Sequence, residues 1–226
     1  MRYGKGAVPI RQLKERRLAR LRGLYAIVDG ASARPPLELL QAFLRGGAGV
    51  IQLRLKGLAA RDLFQLARQA VAACRQQDAL LLINDRPDVA RAAGADGVHL
   101  GQEDLPAGAA REVLGPEALI GVSTHSDAEI DAAIAAGADY LGFGPVFETR
   151  SKPGAPLPPP HGLAGLERAV RRASPVPVVA IGGLTARSAG QVARAGAACG
   201  AAIGELCHAS DPVSAARAFA EAFARG

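Results

Sequence analysis

The stretch INDRPDVARAAGADGVHLGQED, residues 83–104, holds one strand–helix–strand unit and indicates the fold of the whole chain. An apolar run at residues 80–83 ends in Asn84-Asp85, a helical segment follows, and GVHL forms a second apolar run. Each run is followed by a carboxylate, first Asp85 and then Asp104. Because buried strands rarely end in acids unless a cation lies there, the unit predicts a polar site at the carboxyl edge of a parallel strand pair.

The same alternation of strand and helix continues from Gly23 to the end of the chain. The predicted strands are Leu24–Val28, Val50–Arg54, Leu80–Ile83, Gly97–His99, Leu119–Ser123, Tyr140–Phe143, Val176–Ile181 and Gly200–Ile203. The predicted helices begin near Pro36, Arg61, Arg86, Ala107, Asp127, Gly162, Ala186 and Pro212. Eight such units are typical of a parallel (β/α)8 barrel.

Recurring helix ends favour the barrel over a doubly wound sheet. GGAGVIQL (46–53), AGADGVHL (93–100), AGADYLGF (136–143) and AGAACGAA (195–202) each place glycine where a helix ends before an apolar strand. A doubly wound nucleotide-binding sheet has GxGxxG after its first strand, whereas this chain has VDGASARPP. We therefore predict an α/β fold, a single (β/α)8 TIM barrel over residues 23–226 with a short basic N-terminal extension over residues 1–22.

Composition limits the class of protein. The 226 residues are 49% hydrophobic but only 4% aromatic, with no Trp, so the core must consist of Leu, Val, Ile and Ala. The three cysteines have no CxxC spacing and are odd in number, which indicates reduced thiols. No apolar run approaches the roughly 20 residues of a membrane span, and we recognise no signal peptide. These features predict a cytoplasmic protein without a membrane segment.

The net charge of +6 is concentrated at one end of the chain. Residues 1–22 hold eight Lys or Arg against Glu15, a net +7, which leaves −1 for residues 23–226. The body is therefore not a basic nucleic-acid binder. Leu13, Leu18 and Leu21 favour a cap helix over one end of the fold, and a loose arm that attracts polyanions remains the alternative.

Polar residues collect after the predicted strands, where barrels hold their chemistry. In chain order these residues are Asp29; Gln52, Arg54 and Lys56; Asn84 and Asp85; His99, Gln102 and Asp104; Ser123 and His125; Thr149, Ser151 and Lys152; Gly182 and Gly183; Ile203 and Gly204.

Lysine usage points to phosphate binding. The chain has 23 Arg and four Lys, and Lys56 and Lys152 are the only lysines outside the basic extension. A compact ammonium binds phosphate as a point charge where a guanidinium does not fit. Strand alternation in QLRLK places Gln52, Arg54 and Lys56 on one face, so that they can bind a diphosphate and a heterocycle.

Asp85 and Asp104, with Glu103 nearby, resemble the ligands of a magnesium ion that keeps waters and bridges substrate phosphates. The alternative is that Asp85 caps the helix beginning at Arg86-Pro87.

Two further segments complete the predicted site. IGGLT (181–185) and Ile203-Gly204 can form a phosphate cradle of backbone N–H groups. The Pro-rich loop 144–162 is the longest and is predicted to be a lid. His125 is either a general base or a helix-cap group.

The segments QLRLK, IND, GVHLGQEDLP, GVSTHS, GFGPVFETRSKP and VVAIGG, in this order, resemble the thiamine phosphate synthase family. The resemblance runs from about Leu24 to the C-terminus. It implies a Mg²⁺-dependent transferase that joins 4-amino-2-methyl-5-(diphosphooxymethyl)pyrimidine to thiazole phosphate and releases diphosphate by dissociative, carbocation substitution. The partners would be these small molecules, with neither nucleic acid nor membrane, and a homo-oligomer is compatible with the sequence.

The resemblance also implies a role for individual residues. The pyrimidine diphosphate would contact Gln52, Leu53, Arg54, Leu55, Lys56, Asn84, Ser123 and Lys152, of which Arg54, Lys56, Ser123 and Lys152 would be catalytic. Magnesium would bind Asp85 and Asp104. The thiazole phosphate would contact Thr149, Arg150, Ser151, Gly183, Ile203 and Gly204.

The chain departs from the family pattern after strand 8. The family has a serine where this chain has Gly204, and Glu205 follows, an acid beside the proposed phosphate cradle. Alternatives to the synthase are a thiazole tautomerase, with His125 as its base, and a non-catalytic barrel that binds phosphate ligands.

Overall fold

The fold is a closed barrel of eight parallel strands in chain order, from β1 to β8. The computed structural model describes residues 10–149 and 159–226. The strands are β1 Gly23–Asp29, β2 Val50–Arg54, β3 Leu80–Asn84, β4 Gly97–Leu100, β5 Leu119–Thr124, β6 Tyr140–Phe143, β7 Val178–Ile181 and β8 Cys199–Ala202. β8 pairs with β1, which closes the sheet. The predicted (β/α)8 barrel is confirmed.

Helices follow each strand and cover the outside of the barrel, and one further helix, α1, precedes β1. They are α1 Ile10–Arg20, α2 Pro36–Arg45, α3 Ala60–Gln76, α4 Pro87–Ala93, α5 Ala107–Leu114, α6 Asp127–Ala135, α7 Gly162–Ala173, α8 Ala186–Arg194, α9 Gly204–Cys207 and α10 Pro212–Ala224. All eight predicted helix starts lie within one residue of an observed start.

The clearest differences from the predicted boundaries lie in the last two strands. β7 begins at Val178 rather than residue 176, because Pro177 has no N–H to donate to a neighbouring strand. β8 ends one residue earlier than predicted, because Ile203 leaves the extended conformation and precedes the short helix α9, which the sequence did not predict.

Two layers of apolar side chains hold the barrel together, because successive strand residues point alternately inward and outward. Outward residues pack against the helices in a large shell that includes Ile51, Leu53 and Leu81. The interior cluster consists of Leu21, Tyr25, Ile27, Val50, Leu80, Leu82, Leu119, Tyr140, Val179, Cys199 and Ala201. The barrel interior is therefore filled by side chains and is not an open channel.

Helix α1 binds to the end of the barrel where the strands begin. Lys14 pairs with Asp139, and Arg17 pairs with Asp96 at 3.1 Å and donates to the carbonyl of Glu117 at 2.7 Å. The two acids end the Gly-Ala-Asp (GAD) turns at residues 94–96 and 137–139: Asp96 Oδ2 also accepts from Leu81 N, and Asp139 Oδ2 from Ile120 N. We propose on these contacts that the basic extension acts as a cap of the barrel.

The cysteines and the helix lengths can be compared with the sequence predictions. Cys74, Cys199 and Cys207 are free, buried thiols. Within residues 10–149 and 159–226, no helix has the length and apolar content needed to cross a membrane.

Candidate active site

The end of β2 carries the first group of predicted site residues. Gln52 is only 3% exposed, although it is polar, and it points into the barrel. Leu53 and Leu55 belong to the outer shell. Of these three residues, only Gln52 therefore offers its side chain to the barrel interior, whereas a ligand at the mouth would meet the main chain of Leu53.

Arg54 is held by a residue that the sequence prediction did not include in the site. Its Nη1 donates to Asp29 Oδ2, and Asp29 and Arg54 are register partners on β1 and β2. Asp29 is 8% exposed, and its other oxygen accepts from Ala31 N at 2.9 Å. The carboxylate is thus fixed and holds the guanidinium at the rim. Asp29 stood at a predicted strand end, and its alignment opposite Arg54 was the available signal.

Lys56 and Asp104 both lie next to Asp85. Lys56 Nζ lies 3.3 Å from Asp85 Oδ2, and Asp104 Oδ2 accepts from Gly101 N at 2.6 Å. Burial and the neighbouring Asp104 carboxyl raise the pKa of Asp85, while Lys56 opposes that shift. Two carboxyl groups are therefore neighbours in a half-buried place, with one ammonium beside Asp85, which is an environment that suits a divalent cation.

Asp85 does not serve as the cap of α4. The N-cap residue is Arg86, whose side chain makes no capping hydrogen bond. Asp85 instead has a φ of 60° and donates its N–H to the carbonyl of His99 at 2.9 Å. The carboxylate remains available to the rim.

A cavity of about 260 Å³ lies between the ends of β2 and β3. It is lined by Leu55, Lys56, Gly57, Leu58, Leu63, Asn84, Asp85 and Arg86. We call it the cationic cavity, because Lys56 and Arg86 bring two positive side chains to it. Among residues 10–149 and 159–226, no group of three or more His, Cys, Asp or Glu side chains could hold a metal by itself, so a metal at Asp85 and Asp104 needs ligands from substrate or water.

A second cavity, of about 270 Å³, joins the loops after β6, β7 and β8. We call it the glycine-lined cavity; it contains Thr149, Gly182, Gly183, Ile203, Gly204 and Glu205. A Cβ on Gly183, which has a φ of 66°, would collide with the Glu148 carbonyl oxygen, so glycine is required for the loops to approach. Glu205 Oε1 accepts from Ala186 N, the first residue of α8, at 3.4 Å.

Three predicted site residues, Arg150, Ser151 and Lys152, lie outside the described residues. The structure therefore brings together Thr149, Gly183, Ile203 and Gly204 on one side of β1 and Lys56, Asn84 and Asp85 on the other.

His125 and His99, both named among the polar residues at strand ends, have different surroundings. His125 Nδ1 lies 2.9 Å from Glu129 Oε2 beside the first turn of α6, whose N-cap is Ser126. His99 lies in the barrel interior, with Nε2 2.9 Å from Ser123 Oγ and Nδ1 2.9 Å from Tyr140 Oη.

The interior hydrogen bonds form a chain that the sequence prediction missed. Gln52 Nε2 donates to Tyr25 Oη at 2.6 Å, and Tyr25 Oη lies 3.1 Å from Tyr140 Oη. With His99 and Ser123, five side chains on five strands are connected below the rim. The alternation of inward residues predicts their direction, but contacts across the barrel depend on closure of the sheet.

Comparison with known proteins agrees with this geometry. The sequence profile of the family described as thiamine monophosphate synthase matches residues 24–206. The thiamine-phosphate synthase of Anaeromyxobacter dehalogenans is 48% identical over 211 residues, 93% of this chain and 91% of that protein. That of Moorella thermoacetica is 45% identical over 204 residues, 89% of this chain and 96% of that protein.

A solved structure supports the same relationship. The thiamine phosphate pyrophosphorylase from Pyrococcus furiosus superposes with a TM-score of 0.83 at 36% identity, covering 92% of this chain and 97% of that chain. The chain therefore belongs to the thiamine monophosphate synthase family of transferases.

Proposed function

We propose that the protein joins 4-amino-2-methyl-5-(diphosphooxymethyl)pyrimidine to thiazole phosphate and releases diphosphate. The observation that carries the proposal is the pair of rim cavities on either side of β1, one with Lys56 beside a carboxyl pair, the other with Gly182 and Gly183. A diphosphate needs cations, whereas a phosphate monoester can bind to backbone N–H groups. The two cavities suit these two substrates.

The reaction needs a leaving group that is stabilised rather than a protein nucleophile. The C–O bond of the pyrimidine CH₂ group breaks with both electrons leaving on the diphosphate, and the ring amino group stabilises the resulting cation. The lone pair of the thiazole nitrogen then forms the new C–N bond, so no proton has to be moved. Catalysis is therefore mainly electrostatic and positional.

Arg54 and Lys56 are suited to stabilise the leaving diphosphate. Asp29 holds Arg54 at the rim through a fixed carboxylate. A preorganised cation stabilises developing negative charge without first having to be ordered. Lys152, outside the described residues, would add a third cation. Lys56 is partly compensated by Asp85 in the protein without ligands.

Asp85 and Asp104 would hold Mg²⁺. The fit rests on the placement of the half-buried Asp85 carboxyl beside that of Asp104: burial and this neighbour raise the pKa of Asp85, and a cation bound there would oppose both effects. When bound, the ion would neutralise charge on the diphosphate oxygens.

The remaining contacts divide between the two substrates. Gln52, Asn84 and Ser123 would orient the pyrimidine, with the main chain at Leu53 and the lining residue Leu55 beside it. Thr149, Arg150, Ser151, Gly183, Ile203 and Gly204 would contact the thiazole phosphate. The free thiols support a location in the reducing cytoplasm.

The decisive experiment is formation of thiamine phosphate by the purified protein from both substrates, with and without Mg²⁺. We expect coupling that requires the metal. Exchange of the thiazole ring proton without coupling would favour the tautomerase, and binding without either reaction would favour a non-catalytic barrel.

A matched pair of variants tests the cationic cavity. Lys56→Ala should reduce kcat/KM by about 100-fold or more, because the lost charge acts on the leaving group. Arg61→Ala removes a cation from the surface of α3, where Arg61 pairs with exposed Asp62 at 3.3 Å, and should leave turnover unchanged. Equal turnover in the two variants would refute the assignment of Lys56, provided that both fold.

A further inference from the structure

The side chains of the interior hydrogen-bond chain are buried, and two glycines of the barrel leave room for their rings. Tyr25 and Tyr140 are each no more than 1% exposed. A Cβ on Gly121 would collide with the Tyr140 ring, and a Cβ on Gly142 would lie 2.9 Å from His99 Cε1. Two strands thus carry glycine at the positions where a side chain would displace the Tyr140 and His99 rings.

Both phenols remain protonated. Burial is the main cause that raises the pKa of Tyr25 and of Tyr140 well above the ordinary tyrosine value. Each phenol therefore has one hydrogen to donate and can accept at least one hydrogen bond. With a single donor on each hydroxyl group, the direction of the whole chain is determined once one bond is assigned.

Gln52 assigns that bond. Its Nε2 can only donate, so Tyr25 Oη accepts at 2.6 Å. Among the described residues, the other hydrogen-bond partner of the Tyr25 hydroxyl is Tyr140 Oη, so the Tyr25 hydrogen points to Tyr140. If Tyr140 donated instead, the Tyr25 hydrogen would be buried without an acceptor, which costs roughly 1–3 kcal/mol.

The direction then passes to His99. Tyr140 already accepts from Tyr25, so it donates to Nδ1 of His99 across 2.9 Å. His99 therefore carries its proton on Nε2 and donates to Ser123 Oγ, also across 2.9 Å. The Ser123 hydroxyl hydrogen is left to point away from the histidine.

We propose that Tyr25, Tyr140 and His99 are positioning residues that fix the hydrogen-bond polarity of the pyrimidine site. Gln52, whose amide N–H is used by Tyr25, presents its Oε1 as an acceptor, and Ser123 presents its O–H as a donor. An aminopyrimidine, with an amino group that donates and a ring nitrogen that accepts, is the complementary ligand. This inference rests on the proposed function, since it names how that site selects its heterocycle.

The first test needs no catalysis. ¹⁵N NMR of the imidazoles in the metal-free protein, at a pH at which His99 is neutral, reports which nitrogen carries the proton. His99→Gln identifies the His99 signals among those of the four histidines. We expect the Nε2–H tautomer. An Nδ1–H tautomer would overturn the proposal even if the protein proves to be an active synthase.

The second test interrupts the interior hydrogen-bond chain at its middle member, Tyr140. Tyr140→Phe removes the donor to His99 Nδ1, so the tautomer should shift towards Nδ1–H. The KM for the pyrimidine diphosphate should rise about tenfold, the equivalent of one lost directed hydrogen bond, with the KM for thiazole phosphate unchanged. Calorimetric binding of the pyrimidine diphosphate gives the same comparison if the protein does not couple the two substrates.

The matched control removes another buried hydroxyl group, that of Thr124 on β5, the strand that also carries Ser123. Thr124 is fully buried and donates to the Gly142 carbonyl at 3.2 Å, outside the chain. Thr124→Val should leave the His99 tautomer and both KM values as in the wild type. Tyr140→Phe behaving like Thr124→Val would overturn the proposal. If Tyr140→Phe does not fold, Tyr25→Phe tests the same chain one bond earlier, where a loss of pyrimidine affinity is again expected.

Discussion

Asp85 combines a half-buried carboxyl of raised pKa with a left-handed backbone, φ 60°, that is unfavourable for most residues other than glycine. The unusual backbone follows from its N–H, which donates to the His99 carbonyl and so ties the end of β3 to β4. Aspartate tolerates this conformation better than most residues. The position therefore accepts some strain, of about 1 kcal/mol, in order to place a carboxylate beside Lys56.

This conflict predicts that function and stability separate at Asp85. Asp85→Gly relieves the strain but removes the carboxylate, so coupling should fall by about 100-fold or more. The free energy of unfolding should stay within about 1 kcal/mol of the wild type, because the relief is offset by greater freedom of the unfolded chain. Thiamine phosphate formation and urea unfolding measure the two effects.

Asp78→Gly is the matched control for Asp85→Gly. Asp78 also has a positive φ, 51°, but its side chain is 88% exposed and pairs with Arg20 at the other end of the barrel. Its replacement should leave coupling unchanged. A similar loss of coupling in both variants would mean that backbone strain, not the Asp85 carboxylate, controls the activity.

At the scale of the elements, sequence periodicity predicted most of the structure. The eight strands and the eight helix starts were readable because apolar runs and glycine ends punctuate the chain. Helix α9 was missed, since four residues show no periodicity. The ion pair of Asp29 with Arg54 was missed because it depends on the register of β1 and β2. The interior hydrogen-bond chain was missed because Tyr140 reaches His99 only when the sheet closes into a barrel.

Helix α9 alters the contact between the last two strand–helix units. Its residue Glu205 accepts from Ala186 N at the first turn of α8, beside the glycine-lined cavity. A helix N-terminus favours a negative group, so a carboxylate there competes with a phosphate for the same N–H groups. The departure from the family pattern, Gly204 in place of serine followed by Glu205, thus lies at the predicted phosphate cradle.

Glu205→Gln should therefore improve binding of the thiazole phosphate. Loss of one negative charge at the rim predicts a KM lower by roughly two- to fivefold, with the KM for the pyrimidine diphosphate unchanged. Glu112→Gln on α5 changes the net charge equally but lines neither rim cavity, and it should not alter either KM. An unchanged or higher thiazole KM in Glu205→Gln would show that the carboxylate does not oppose the phosphate.

At the scale of the whole molecule, the two ends of the barrel have separate tasks. The strand ends carry the two cavities, whereas the strand beginnings carry the GAD acids that bind α1. The large excess of positive charge in residues 1–22 is thus explained in part by acids that it neutralises. Barrels generally keep stability at the face opposite to the chemistry.

Leu21 provides the sharpest test of this division. It lies between α1 and β1, is 3% exposed and packs in the interior cluster with Tyr25 and Leu80, at the end away from the cavities. Leu21→Ala should reduce the free energy of unfolding by about 3 kcal/mol, a fall in Tm of roughly 6–12 °C. Because the interior is closely packed below the rim, kcat and both KM values at 25 °C should remain those of the wild type.

Val113→Ala, at a 41% exposed position on α5, removes a similar aliphatic group and should change Tm by far less. Equal Tm values for the two variants would show that Leu21 does not support the barrel interior, and a lost activity in folded Leu21→Ala would show that the two ends are coupled.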